Sequence, residues 1–400
     1  MSQSSIDLCA LPTRQVIRQL LHNRVVEAVE EVIRAELDEL IGTDWYKRSK
    51  ERRGYRNGTN RREVTTEHGP MAIEVPRARI MDETGKTREF HSEVLPRYAR
   101  RTGRVDDAIL GVYLAGGNTR RIRQALEPLL GEANLSKSAV SRVVARLRTL
   151  FSSWSQRDLG EESYPILIFD GLHLKVRLAR RVVSVPVLVA LGVDENGVKR
   201  LVSLRLAARE SGGTWGDLVA DLDRRGLPTP VLIISDGHRG LTQAISSWPD
   251  TKIQRCAVHK LRNLEDHCPP HARAEMRRDF QAIIYARDGI VARQAFQSFL
   301  TKWASLCPAV VRSLEESGER LLTFYEFPKP MWKSLRTTNA IENLNREFRR
   351  RTKTQASFST EEAAVTLLYG LVAFGQIHMR KIDGYQHVKA LVRTGCRAAA

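Results

Sequence analysis

Apolar residues of 11–41 recur every three or four positions, which predicts one or two amphipathic helices. Residues 47–62 do not show this spacing. Glycine and asparagine lie there among basic and aromatic residues, a composition typical of a loop. A short β-hairpin is predicted next at 64–75, with its turn at 68–70. Helical spacing then returns over residues 106–150. The first third of the chain is therefore predicted to be mainly helical.

From residue 163 the pattern is α/β. Short links join the early strands, which predicts antiparallel pairing, whereas the later strands alternate with helices, which favours parallel pairing. Strands are predicted at 164–169, 172–178, 183–191, 198–206, 231–235 and 252–258. Helices are predicted at 214–224, 238–247, 340–351 and 360–377, with a polar helical stretch from 259 to about 324.

With 400 residues, the chain is long enough for two or three domains. The patterns divide it into five parts. These are a helical segment at 1–45, a basic segment with a hairpin at 46–100, a helix-turn-helix-like region at 101–155, an α/β core at 160–260 and 335–378, and a helical insertion at 261–334.

The net charge of the chain limits the classes of partner that it is expected to bind. Lys plus Arg number 64 and Asp plus Glu 46, giving a net charge of +18 and a pI near 10.0. Such an excess favours a polyanion, because neutralised phosphates release counterions. A membrane surface is the rival, but no lipidation motif or secretory signal is evident. Five scattered cysteines indicate a reducing compartment, so we expect a cytoplasmic, nucleoid-associated protein and no membrane partner.

Two regions are candidates for DNA binding. Helices near 119–126 and 136–144 flank a short turn, which predicts a helix-turn-helix whose second helix enters the major groove. The alternative is an ordinary helical hairpin with solvated basic faces. Candidate DNA contacts in the basic segment and in this region are Arg52, Arg53, Arg56, Arg61, Arg62, Arg120, Lys137, Ser138 and Arg142.

Three acidic residues carry the candidate chemistry. Asp170 closes the strand at 164–169, Asp236 closes the strand at 231–235, and Glu342 lies in the first turn of the helix at 340–351. A carboxylate at the end of a buried strand lies at the rim of the sheet. Three converging carboxylates would bind two hard cations through oxygen, and two metal ions can clamp the oxygens of a phosphodiester.

Each acid also has a simple structural interpretation. Asp170 and the following glycine form a common turn pair. Asp236 could cap the next helix, and Glu342 could complete a capping box with Asn339. Two strand-end acids and one helical acid in a strongly basic chain together favour catalysis.

Cys256 and His259 follow the strand after Asp236, and His267, Cys268 and His271 come shortly afterwards. This set could form a tetrahedral zinc site. Since the spacing is irregular, we favour a buried cysteine with a histidine that forms hydrogen bonds or contacts DNA near the active centre.

Basic residues follow Glu342 along its helix. Arg346, Arg349 and Arg350 are three and four residues apart and share a face. Together with Lys353, they are predicted to contact phosphates and to position DNA without reading its sequence.

Three long segments resemble the acidic motifs of the mutator-type transposases of bacterial insertion sequences. They are Ile168–Arg177, Ser235–Gly240 with Cys256–Asn263, and Arg336–Arg346. Tyr55–Gly58 and Val75–Arg77 match the upstream part of that family. The resemblance extends from about residue 50 to 375.

The resemblance implies a DDE transposase with a ribonuclease H-like catalytic core, a helical insertion before the last acid, and a mainly helical DNA-binding region in front. Asp170, Asp236 and Glu342 would ligate two Mg²⁺ ions, for which Mn²⁺ can substitute. His238 and Lys175, like Cys256, His259 and Asn339, would lie near the site or the DNA.

By the same resemblance, the protein would bind terminal inverted repeats and target DNA as a homodimer or a larger synaptic complex. Two other functions stay open on the residues alone. One is a structure-selective nuclease with the same core chemistry, and the other is a DNA-binding regulator without catalysis.

Overall fold

The computed structural model describes residues 13–43, 52–81, 85–117, 119–130, 135–178, 181–207, 212–245, 248–353, 358 and 360–391. Within them the chain divides into two units, Met1–Ala145 and Arg146–Ala400. Lys47, Arg48 and Lys50 of the predicted basic loop lie outside the described residues. No helix in the described ranges is long and apolar enough to cross a membrane.

The first unit joins a long helix to a small sheet. A single helix, α1 (Thr13–Ile41), fills the region of predicted helical spacing. Strands β1 (Gly54–Thr66), β2 (Gly69–Met81) and β3 (Thr87–Glu89) form an antiparallel sheet in that order. The buried core between helix and sheet contains Ile33, Leu37, Ile41, Met71, Ile73 and Ile80.

Strand β1 overturns the predicted loop at 47–62. The strand starts at Gly54, and the hairpin therefore has much longer arms than its apolar residues indicated. Its register with β2 shifts between Arg56 and Thr59, and Gly58 has a φ of 80° there. A glycine in the left-handed region allows a β-bulge, which absorbs an extra residue without ending the strand. The glycine and asparagine thus mark a bulge.

Three helices follow the small sheet: α2 (Gly103–Leu114), α3 (Thr119–Leu130) and α4 (Lys137–Ser155). They confirm the helical spacing predicted over 106–150. The two members of the predicted helix-turn-helix correspond to α3 and α4, and their insertion into a DNA groove stays a prediction.

The second unit contains a five-stranded mixed sheet. Its strands are β4 (Ile166–Leu178), β5 (Arg181–Val193), β6 (Lys199–Leu206), β7 (Leu232–Ser235) and β8 (Lys252–Arg255), in the order β6-β5-β4-β7-β8. The pairs β4/β5 and β5/β6 are antiparallel, while β4/β7 and β7/β8 are parallel. Parallel addition of the later strands is as predicted.

Strand β4 corrects another expectation. The strands predicted at 164–169 and 172–178 are one strand, and the predicted turn between them does not exist. Asp170 pairs with Val189 and Gly171 with Leu188 in an unbroken antiparallel ladder. Because β5 is an equally long apolar partner of 13 residues, the antiparallel ladder continues along the whole of β4, and the polar pair does not interrupt it.

Helices cover both faces of the sheet. Helix α5 (Gly212–Arg224) and helix α6 (Arg239–Ala244) cover one face, over a core that includes Phe169 and Trp215. Between β8 and the last helices lie α7 (Ala257–His267), α8 (Arg273–Ile284), α9 (Gly289–Leu306), α10 (Pro308–Ser317) and α11 (Trp332–Leu335). Helices α12 (Asn339–Thr352) and α13 (Glu361–Ala373) pack on β4, and α13 also packs on β6.

The helices between β8 and α11 have a core of their own. Phe280, Phe296, Phe299 and Trp303 are buried in it. This arrangement agrees with the helical character predicted for 261–334. Strand β8 ends at Arg255 rather than near residue 258, because Cys256 is already the N-cap of α7.

Candidate active site

Asp170 and Asp236 lie side by side at the edge of the parallel part of the sheet. The last paired residues of β4 and β7 are Ile168 and Ile234. The two aspartates follow that pair by two residues each, and therefore point to the same face from strands about 4.8 Å apart. Asp170 was predicted to lie at a strand end. It lies instead within β4, at the point where β7 no longer pairs with that strand.

The two carboxylates repel each other. Burial and the charge of Asp236 raise the pKa of Asp170 to about 6, although His259, the backbone N–H of Gly171 and the Asn345 amide act in the opposite direction. A cation held between the aspartates would relieve this repulsion. Their oxygen atoms are of the kind that Mg²⁺ prefers.

Asp236 does not cap the helix that follows it. The N-cap of α6 is His238, whose Nδ1 accepts from the Gly240 N–H at 3.2 Å. Asp236 Oδ1 accepts from the His238 N–H at 2.9 Å, which closes a tight turn. The capping interpretation of Asp236 is therefore wrong, and the His238 ring is used in capping.

Glu342 does not belong to a capping box. The N-cap of α12 is Thr338, and Asn339 is the first helical residue, with an exposed side chain. Glu342 thus comes four residues after the cap, one too many for the capping box. Its Oε1 accepts a hydrogen bond from Thr338 Oγ1 at 2.9 Å. The side chain faces the site and is 28% exposed.

Asn345 joins α12 to the first aspartate. It lies one turn after Glu342, is 1% exposed, and its Nδ2 donates to Asp170 Oδ2 at 2.7 Å. One helix therefore supplies one acid of the site and orients another. The sequence prediction did not include Asn345 or Thr338, although their spacing of three and four residues from Glu342 places all three on one helical face.

Cys256 and His259 form a network with Thr338. Cys256 is fully buried; its Sγ accepts from the Thr338 N–H at 3.3 Å and lies 3.2 Å from Thr338 Oγ1. Thr338 Oγ1 is also 3.3 Å from His259 Nδ1, which lies 3.8 Å from Glu342 Oε1. Burial opposes ionisation of the thiol, but hydrogen bonds from His259 and Thr338 lower the pKa of Cys256 overall.

The network places a sulfur, a nitrogen and an oxygen of Cys256, His259 and Glu342 within 4.8 Å of one another. The larger zinc site considered from the sequence is not assembled. Cys256 and Cys268 flank the 11 residues of α7, a length of about 16 Å at 1.5 Å per residue. The favoured interpretation, a buried cysteine with a hydrogen-bonded histidine next to the acids, agrees with the geometry.

Two of the arginines predicted to contact DNA form ion pairs or hydrogen bonds within the first unit. Arg56 forms an ion pair with Asp38 of α1. Arg62 donates to the backbone carbonyls of Leu95 at 3.1 Å and Ala99 at 2.9 Å. Their contact with DNA stays a prediction.

Most other predicted DNA contacts are exposed. Arg52 donates to the Gly54 carbonyl, and Arg350 pairs with Glu347. The side chains of Arg120 and Lys137 lie outside the described part of the chain. The remaining exposed residues of the set are Arg53, Arg61, Ser138, Arg142, Arg346, Arg349 and Lys353.

Lys175 is not beside the acids. It lies five residues after Asp170 on β4, which is roughly 17 Å along a strand. An odd separation also turns its side chain to the opposite face of the sheet. Lys175 is therefore not a neighbour of the acids, and its contact with DNA stays a prediction.

Comparison with known proteins finds one family across nearly the whole chain. A profile described as "Transposase, Mutator family" matches residues 2–378. The transposase for insertion sequence element ISRM5 of Rhizobium meliloti is 34% identical, over 90% of this chain and 86% of its own. The transposase of IS905 from Lactococcus lactis is 32% identical over 88% of each chain.

The transposase of IS256 in transposon Tn4001 from Staphylococcus aureus is 31% identical, over 82% of this chain and 83% of its own. Among solved structures, a simian T-cell lymphotropic virus intasome in complex with PP2A regulatory subunit B56 gamma covers 52% of this chain and 64% of its own. That match has 13% identity and a TM-score of 0.19, too low to bear on the fold.

Proposed function

Because the chain belongs to the Mutator family of transposases, we propose that it cleaves phosphodiester bonds at the ends of a DNA element and joins the freed 3′ ends to new DNA. The observation that supports this proposal is that Asp170 and Asp236 follow the paired ends of adjacent strands, while His259 feels the charges of both Asp170 and Glu342. Two of these acids come from adjacent strands and the third from a helix that contacts the first.

The catalytic core is proposed to be ribonuclease H-like. The strand order β6-β5-β4-β7-β8, with three antiparallel strands followed by two parallel ones, supports this assignment. So does the set of helices between β8 and α12, which corresponds to the expected insertion before the last acid.

Two Mg²⁺ ions, or Mn²⁺ in their place, are the proposed cofactors. The residues present fit them, since three carboxylates provide hard oxygen ligands, and burial together with the charge of Asp236 raises the pKa of Asp170. When bound, the ions would supply Lewis-acid activation of the attacking oxygen and stabilise charge on the phosphoryl group.

The protein's own residues would set the geometry. Asp170 and Asp236 fix two ligand positions through backbone that is paired or turned tightly. Asn345 holds one oxygen of Asp170, and Thr338 holds one oxygen of Glu342. In strand joining, the attacking 3′-oxygen bonds to phosphorus and gives its proton to solvent, while the bond from that phosphorus to the target strand's 3′-oxygen breaks and the leaving oxygen takes a proton from solvent. Hydrolysis at the element end needs the same in-line arrangement.

Double-stranded DNA is the proposed partner, both as terminal inverted repeats and as target. The net charge of +18 supports it. Since two element ends must be held together, a homodimer or a larger synaptic complex is the proposed assembly.

Strand cleavage and joining on duplexes taken from the DNA that flanks the coding sequence would test this function. We expect wild type to cleave and join a labelled 3′ end in Mg²⁺ and to do neither in EDTA. Cleavage without joining would indicate a structure-selective nuclease. Binding with no cleavage under any condition would indicate a regulator and would remove the catalytic proposal.

A metal-site prediction can be checked without activity. Asp170→Asn should stabilise the metal-free protein at pH 7 by about 1–2 kcal/mol. The pKa rise to about 6 corresponds to at most roughly 3 kcal/mol, and partial exposure reduces it. The pKa of Asp170 is higher in the folded than in the unfolded state. Its ionised carboxylate therefore destabilises the folded wild type fully above about pH 6. The stability that Asp170→Asn gains should vanish below about pH 4, where the carboxyl is protonated in both states.

Thermal unfolding with and without Mg²⁺ measures this effect. Mg²⁺ should raise the melting temperature of wild type, because it binds only the folded site, and should have much less effect on Asp170→Asn. Asp266→Asn removes the same charge from an exposed helical position and should behave as wild type. Equal stabilisation of wild type and Asp170→Asn by Mg²⁺ would contradict the ligand assignment.

A further inference from the structure

A basic cavity lies directly behind the turn that carries Asp236. Its volume is about 300 Å³, near the lower end of ordinary ligand pockets. It is lined by the ends of β7 and β8, by α6 and by the end of α10. The residues that matter for its chemistry are Ser235, Gly237, Arg239, Arg255, Ser317 and Arg320.

Its three arginines lack a close ion pair: burial lowers the pKa of Arg255, and the charges of Asp236 and Glu316 oppose this only in part. Among the described residues, Arg239, Arg255 and Arg320 form no ion pair with a carboxylate. The one acid in the lining, Glu316, is already engaged, since Lys260 Nζ lies 3.3 Å from its Oε2. The lining therefore has an excess of positive charge that an anion would neutralise.

Two buried polar groups in the lining have no hydrogen-bond partner in the described chain. Arg255 is 9% exposed and its Nε is unsatisfied, and Ser317 is 4% exposed and its Oγ is unsatisfied. A buried donor without a partner costs free energy. Both groups can donate to the oxygens of a ligand in the cavity.

The turn is built to hold Arg255 in place. Gly237 has a φ of 81°, and a Cβ at this position would lie 1.1 Å from Arg255 Nη1. Only glycine leaves room for the guanidinium there while adopting the left-handed backbone. The buried arginine and the Asp236 turn are therefore fitted to each other.

We propose that this cavity binds a phosphate group of the DNA backbone. Three arginines without a close carboxylate and a serine hydroxyl match the charge and the acceptor oxygens of a phosphate. Ser235 and Gly237 are the chain neighbours of Asp236, so the bound phosphate would fix the DNA strand against the turn that carries this acid. The DNA assignment rests on the proposed function, whereas binding of phosphate itself does not.

Inorganic phosphate is the first probe, applied to the full chain in EDTA at constant ionic strength. Wild type should show a saturable rise in melting temperature. The double variant Arg239→Gln/Arg320→Gln should lose at least ten-fold in phosphate affinity. Ser317→Ala should lose several-fold, and without phosphate it should be as stable as wild type or more so, because it removes an unsatisfied hydroxyl.

Arg277→Gln is the matched control. It removes the same charge from an exposed arginine of α8 that pairs with Glu265, and should bind phosphate as wild type does. No saturable effect in wild type, or an equal loss in this control, would overturn the site. Failure of Arg239→Gln/Arg320→Gln to fold would leave Ser317→Ala as the deciding variant.

Duplex DNA is the second probe and identifies the source of the phosphate. The slope of log affinity against log salt should fall by about 1 in the double variant, the change expected for one lost phosphate contact. Phosphate binding with an unchanged slope would overturn the DNA assignment and indicate a site for free phosphate. Glu342→Gln should keep phosphate binding, so failure of the catalytic proposal can be told apart from failure of this one.

Discussion

Glu342→Gln should lower strand joining by at least about a thousandfold, since a metal ligand contributes several kcal/mol to charge stabilisation in the transition state and each 1.36 kcal/mol is tenfold in rate. The melting temperature of the metal-free protein should not change. Glutamine has the same shape, and its Oε1 can still accept the hydrogen bond that Thr338 Oγ1 donates at 2.9 Å. What it loses is the charge that would bind the cation.

This separation of activity from stability distinguishes a ligand from a structural residue. Joining and cleavage of labelled duplexes give the rate, and thermal unfolding in EDTA gives the stability. Glu361→Gln makes the same change at an exposed residue in the first turn of α13 and should leave both unchanged. If Glu342→Gln kept its joining activity but melted earlier, Glu342 would be holding α12 and the metal site would have to be placed elsewhere.

The strands and helices that sequence patterns predict well are those with one uninterrupted period. Helix α1 and strand β5 have it, and both were predicted. Strand β4 does not, because Asp170 and Gly171 interrupt its apolar residues and have the composition of a turn. Only the long partner β5 decides that the chain continues straight. That information belongs to the pairing of two segments and is absent from either one alone.

The three acids stand out in the sequence because Asp170 and Asp236 follow apolar runs and Glu342 lies in the first turn of a helix. Their two supporting residues could not be predicted in the same way. Asn345 and Thr338 are ordinary helical polar residues in the sequence, and their role depends on which strand faces α12. Lys175 lies away from the acids because β4 continues straight through Asp170, and each position on a strand adds about 3.3 Å.

The sequence also does not show which basic residues are available to bind a ligand. Positive charge predicted a polyanionic partner, yet Arg56 is engaged with Asp38 inside the first unit. Arg255 is buried beneath the Asp236 turn, where nothing in its sequence context distinguishes it from a surface arginine. Net charge is a property of composition, whereas the arginines that are available to a ligand are determined by the packing around each one.

Thr338→Val should lower strand joining by about 10- to 100-fold, the usual effect of removing a residue that orients a metal ligand. Thr338 is fully buried and lies at the N-cap of α12, but its hydroxyl does not cap the helix. Oγ1 instead lies 2.9 Å from Glu342 Oε1 and 3.2 Å from Cys256 Sγ. Valine keeps the volume and removes the hydroxyl that donates to Glu342 and lies against the buried thiol.

The hydroxyl has one proton and two acceptor positions. It can donate to Glu342 Oε1 while it accepts from His259 Nδ1, 3.3 Å away. The carboxylate is thereby held on one oxygen and left free on the other. Without the hydroxyl, Glu342 should sample other rotamers, and more Mg²⁺ should be needed to reach half-maximal activity.

The Mg²⁺ dependence of joining separates this role from a loss of packing. The Mg²⁺ concentration for half-maximal activity should rise about tenfold or more in Thr338→Val and return to the wild-type value in Thr338→Ser, which restores the hydroxyl. Thr366→Val is the matched control, since Thr366 is 1% exposed and its Oγ1 has no partner in the described chain. An unchanged Mg²⁺ dependence in Thr338→Val would show that the hydroxyl does not position Glu342, whatever the change in melting temperature.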